Sequence, residues 1–83
     1  METTLTITTR EIARRELAAT RYGLGAEPIS DPTLWRWCRA CGVGIGQSTF
    51  HQHEMDRLHQ VARMLADSHT MNHVKQYFGV NDL

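Results

Sequence analysis

Four side chains within one seven-residue stretch are of the types that bind polyanions: Thr33, Trp35, Arg36 and Arg39. A guanidinium is a planar fork that pairs bidentately with a phosphate or with the acceptor edge of guanine. Arg36 is the candidate base reader, and Arg39 is either a second reader or a phosphate clamp. Thr33 falls near the start of the same segment, where a helix end favours negative charge, so its hydroxyl suits a phosphate oxygen. Trp35 offers a flat apolar surface to a sugar or a thymine methyl. The plainer account is that these four residues only solvate a structural helix. An outward-facing indole weighs against it, because exposed apolar area is unfavourable without a partner.

A second constellation invites a metal. Cys38 and Cys41 are three apart, and with His51 and His53 they have the donor types of a tetrahedral zinc site. A lone CxxC with no matching second pair is weak, however, and both cysteines lie on an apolar stripe where Cys acts as a small hydrophobe. His69 and His73, four apart, are chelating candidates only if no helix begins at Thr70 between them. The expectation is no metal and no cofactor. No Ser/His/Asp frame, phosphate-cradling glycine loop or paired carboxylates in an evident cleft stands out, so no enzymatic activity is expected.

These residues need elements to hold them. Asp31 as N-cap, Pro32 in the first turn and Gly42 as a left-handed stop predict a short helix over residues 32–41. Within it Leu34, Trp37, Cys38 and Cys41 recur at i, i+3, i+4 and i+7 and form the inward stripe, leaving Thr33, Trp35, Arg36 and Arg39 outside. Upstream, Thr4–Ile7 alternates like a short strand. Thr8 and Glu11 then make a capping box for a helix that buries Ile12, Ala13 and Leu17 and ends before Gly23. Arg10, Arg14 and Arg15 of that helix could touch a flanking nucleic-acid backbone, or could form an ordinary solvated face with Glu11 and Glu16. Residues 43–51 place apolar residues among glycines in the pattern of a small hairpin, a wing whose Gln47, Ser48 and Thr49 can donate to phosphates, although glycine turns serve structural hairpins as well. A third helix from Gln52 buries Met55, Leu58, Val61, Ala62 and Leu65. Thr70 caps a fourth with Met71, Val74 and Phe78 inward.

The sum is a mostly α fold: a winged helix-turn-helix of about four helices with a small β-hairpin wing, one domain over residues 1–83 with its core in 5–78. Eighty-three residues allow one modest core, with about 60% of the unfolded surface buried. Nine basic and nine acidic residues cancel, which excludes the strong global field of a very basic nucleic-acid binder. Six of the nine basic residues are arginines of the first half, so any basic surface must be built there. No secretory signal or membrane-length apolar run is evident, and two closely spaced cysteines suit a reducing compartment, so a cytoplasmic location is expected.

The stretch Ser30, Asp31, Pro32, Thr33, Leu34, Trp35, Arg36, Trp37, Cys38 and Arg39 resembles the recognition helix of MerR-type regulators, with its Ser-x-x-Thr-Leu start followed by Arg and aromatic residues. Phe50 to Leu58 resembles that family's entry to its third helix, and Val61 to Phe78 its closing helix pair. The resemblance covers about residues 5–78. The chain departs from the family in a longer connection between the first two helices, in an extra residue before Gly42, and in stopping where larger members continue into a dimerisation helix and effector domain.

The resemblance implies a compact, excisionase-like or small-repressor-like DNA-binding protein of a mobile element. It would be a transcriptional regulator of the repressor kind that reads the major groove of double-stranded DNA with the helix 32–41 and flanking backbone or minor groove with the wing 43–51. A neutral monomer would bind weakly, so a homodimer or cooperative oligomer is expected, paired through the N-terminal strand or through Met71, Val74, Tyr77 and Phe78. Five histidines suggest tighter DNA binding as pH falls from 8 to 6. The alternative is a winged-helix protein-interaction module that docks Trp35 and the C-terminal aromatics on a polymerase or recombinase, or an architectural protein acting with a recombinase.

Overall fold

The computed structural model describes residues 7–80. Among them the elements run β1 (Ile7–Thr9), α1 (Arg10–Tyr22), α2 (Asp31–Cys41), β2 (Thr49–His51), α3 (Gln52–Ala66) and α4 (Met71–Phe78). The fold is mostly α, four helices with a small two-stranded antiparallel sheet, as expected.

The ribbon is assembled differently from the expected hairpin over 43–51. β2 pairs with β1, not with a neighbouring strand, in the register Ile7 to His51, Thr8 to Phe50 and Thr9 to Thr49. Thr8 and Phe50 face the core while their neighbours face out, the two-residue alternation of a half-buried ribbon. Residues 43–48 are a loop. Val43 is buried, so the segment leaves α2 anchored to the core instead of standing off as one arm of a hairpin. Of the predicted strand Thr4–Ile7, only Ile7 lies within the described residues.

Helix ends follow capping chemistry, with two shifts from expectation. α1 is capped by Thr9, whose hydroxyl accepts from the Ile12 amide at 3.3 Å. Thr8 sits inside the strand, so the Thr8 and Glu11 box does not form. α2 is capped by Ser30, which accepts from the Thr33 amide at 3.3 Å. Asp31 is already the first helical residue, and its carboxylate is turned toward α1. At the other end Gly42 adopts φ +79°, and the Val43 amide reaches back to the Cys38 carbonyl at 2.8 Å. That pattern is a Schellman ending, and it needs a residue without Cβ strain at position 42.

Leu17, Leu34, Phe50, Met55, Leu58, Val61 and Val74 are fully buried in one cluster. α3 is its spine, touching α1 and α2, while α4 lies against both α2 and α3. The α1 stripe is rotated from expectation: Ala13, Leu17 and Ala18 are buried, and Ile12 is 44% exposed. Alanines at 13 and 18 present only methyl groups to the core, whereas Ile12 is left on the outer side. On α3, Met64 joins the predicted inward set and Leu65 is only partly buried.

Candidate nucleic-acid interface

The inward stripe of α2 is as expected. Leu34, Trp37, Cys38 and Cys41 are all buried, together with Ala40. With so much of its circumference covered, α2 exposes a narrow arc, and Arg36 and Arg39 occupy it one turn apart. They open onto a cleft of about 250 Å³ whose other wall is Met71 and Lys75 of α4. Three cationic side chains from two helices thus surround one hollow. Sequence reasoning missed Lys75, because nothing local to residues 71–78 says that α4 packs beside α2.

Thr33 is half-buried, and its hydroxyl accepts from that of Ser30 at 3.0 Å. Trp35 is not the unpartnered indole that was expected. It is half-buried against the core, and the Arg10 guanidinium lies 5.9 Å from its ring centroid. That is the reach of a cation–π contact, so the indole is covered from the α1 side.

Two arginines of α1, Arg10 and Arg14, are turned to the fold. Arg14 Nε donates to the Ile29 carbonyl at 2.6 Å and stands 3.7 Å from the Asp31 carboxylate, while Arg10 stands 3.8 Å from the same oxygen. The Ile29 amide in turn donates to the Arg14 carbonyl at 3.2 Å. The long connection 23–30 is thereby stitched back onto α1 just before α2 begins. Arg15 is exposed.

In the loop before β2, Gln47 has a structural task. Its amide nitrogen donates to the Thr49 carbonyl at 3.0 Å and to the Glu54 carboxylate at 3.3 Å. An amide NH₂ has two hydrogens, so both are committed within the chain. The Glu54 carboxylate also accepts from the His51 amide at 2.9 Å, and these bonds, the His51 amide first, lower its pKa. A Cβ at Gly44 would come within 2.7 Å of the Gln47 side-chain oxygen, which keeps that glycine's place small. Ser48 and Thr49 are exposed, and the Ser48 carbonyl accepts from the Arg10 amide at 2.9 Å.

The cysteine pair does not meet the histidines. Both thiols are inside, where burial pushes Cys38 up to about 12 and Cys41 up to about 11, while His51 and His53 are exposed and stacked on each other with centroids 5.8 Å apart. Zinc requires thiolates, which these surroundings disfavour. Among the described residues no group of three or more His, Cys, Asp or Glu side chains converges as a metal site. None of their helices is long and apolar enough to cross a membrane.

Compared with protein-family models, curated proteins and solved structures, the chain matches none of them. Its functional reading rests on its own geometry.

Proposed function

We propose that the protein binds double-stranded DNA through the outer arc of α2 and acts as a small transcriptional regulator of the repressor type. Arg36 is the base reader. Arg39 and Lys75 hold backbone phosphates on either side of the cleft, with Ser48 and Thr49 as further donors from the loop. The observation that carries this reading is the orientation of α2: two arginines one turn apart face outward over a hollow lined by three cations and one methionine, while the thiols of the same helix face the core. Pairing of two copies on repeated half-sites supplies affinity that a neutral monomer lacks. Val74 cannot take part in such pairing, since it is buried in the monomer core, which leaves Tyr77 as the most exposed of the aromatics there.

The test is a band-shift series on DNA selected from random sequence, with Arg36→Ala and Arg39→Ala. Arg36→Ala is expected to weaken binding about 5- to 150-fold, in line with about 1–3 kcal/mol for a base-reading arginine, and Arg39→Ala to weaken it by a smaller factor that is uniform across sequences. Undiminished specific binding by both variants overturns the reading. A second reading, docking on a protein, is favoured by the apolar residues that the chain leaves in water, Tyr22 at 62% exposure at the end of α1 and Leu24 at 98% on the connection that follows. Salt separates the two. A phosphate-dominated complex weakens steeply between about 50 and 200 mM, whereas an apolar contact changes little.

A further inference from the structure

The turn between α3 and α4 brings two imidazoles together. His69 Nδ1 and His73 Nδ1 are 3.5 Å apart, with ring centroids 5.5 Å apart and planes inclined by 62°. Both rings are exposed. Thr70 does start a helix between them, and that start causes the meeting. The cap residue has extended backbone, φ −83° and ψ 162°, and its hydroxyl holds the His73 amide at 3.2 Å. The chain therefore doubles back at Thr70, so the residue before the cap lies over the first turn, the geometry in which capping boxes and staples form. Ser68, at φ +72°, and the His69 amide bond to the Met64 carbonyl at 2.9 Å fix the approach from the α3 side.

Two ring nitrogens facing each other at this distance need something positive between them. With one ring as the Nδ1–H tautomer, that hydrogen donates to the other ring's lone pair. If both rings instead carry their hydrogen on Nε2, two lone pairs converge on one point. Two nitrogens each about 2.0–2.1 Å from a tetrahedral zinc ion stand about 3.4 Å apart, close to the observed spacing. We propose that His69 and His73 form a two-imidazole clamp for a divalent transition metal of the zinc type, bound through both Nδ1 atoms with water completing the shell. The ion replaces the shared proton, and the displaced hydrogen sits on Nε2. The positive end of α4 opposes the cation, which makes this a weak, exchangeable site and not a structural one.

His51 and His53 provide the internal comparison, since they too are exposed and adjacent but lie with rings parallel within 5°. Zinc chloride is titrated calorimetrically into the full chain in a non-chelating buffer, alongside His69→Gln, His73→Gln and His51→Gln. Each of the first two substitutions is expected to weaken zinc binding at least tenfold, and His51→Gln to leave it unchanged. Nitrogen-15 spectra are expected to shift at Nδ1 of residues 69 and 73 on adding zinc. Unchanged zinc binding in both His69→Gln and His73→Gln overturns the proposal, as does an equal loss in His51→Gln. Circular dichroism of each variant, expected to match the parent, separates loss of the clamp from loss of α4.

Discussion

Arg14 and Arg36 are the same residue type, in the same half of the chain and each on a helix, yet the molecule uses them in opposite ways. Arg14 is 31% exposed, with its Nε against the Ile29 carbonyl and a carboxylate at 3.7 Å. Arg36 faces out over the α2–α4 cleft. What separates them is the chain that comes back beside each. The connection 23–30 returns along α1 and presents the Ile29 carbonyl there, with Asp31 following at the start of α2, while α4 passes α2 and contributes Met71 and Lys75. Whether a guanidinium holds the fold together or stays available to a ligand is decided by the acceptors that tertiary structure delivers, not by the local run of charge.

The largest test of this contrast is Arg14→Ala. Losing a short, charge-assisted bond to the Ile29 carbonyl, and leaving the Asp31 oxygen with less compensation, is expected to lower stability by about 2 kcal/mol in a denaturant titration. Gly42→Ala comes next. It forces an alanine into the left-handed conformation that closes α2, at a cost of about 1–2 kcal/mol by the same measurement, and it holds the cleft-facing arginines less firmly. Arg10→Ala is expected to cost under about 1 kcal/mol, because Arg10 is itself exposed and its loss leaves Arg14 beside the Asp31 oxygen. Arg36→Ala should change stability by less than about 0.5 kcal/mol while weakening DNA binding. A destabilisation by Arg36→Ala equal to that by Arg14→Ala would erase the distinction.

How far the sequence foretold this arrangement differs from element to element. α2 was legible because a proline, a glycine and an i, i+3, i+4, i+7 stripe all punctuate the same short segment. Its cap moved by one residue, since Ser30 and Asp31 are both good N-caps and only the contact of Asp31 with α1 decides between them. The ribbon was half legible. Short alternation marks residues able to form a strand, but the partner of β2 lies some forty positions upstream, and no local pattern distinguishes that pairing from a hairpin among the glycines. The commitments of Gln47 and Arg14 to neighbouring acceptors, and the contribution of Lys75, were not legible for the same reason: each depends on which element packs alongside. The approach of His69 to His73 was not legible either, because it follows from the extended backbone of the Thr70 cap, which lays the residue before it over the first turn of α4.

The smallest expected effect sharpens the same contrast with a histidine. His59 of α3 is packed against α1, with Nδ1 at 2.8 Å from the Thr20 hydroxyl oxygen and Nε2 at 3.9 Å from the Glu16 carboxylate. The Thr20 hydroxyl already donates to the Glu16 carbonyl, so its oxygen accepts from His59 Nδ1–H, and Nε2 is left as the basic nitrogen. Burial lowers the pKa of His59, with Glu16 and Asp56 opposing and Arg63 adding to the shift. The unfolded chain therefore binds this proton at a higher pH than the folded one. Stability from this site is fully present above the ordinary histidine pKa, about 6.5, and is lost as pH falls through the lowered folded value. Melting temperature is expected to drop between about pH 7 and pH 5, and His59→Gln, which can still donate to Thr20 but does not titrate, is expected to flatten part of that slope. The Glu16 carboxylate limits the size of the effect, so Glu16→Gln should steepen it. A slope unchanged by either substitution would mean that the α1–α3 contact accommodates the His59 imidazolium at no cost in stability.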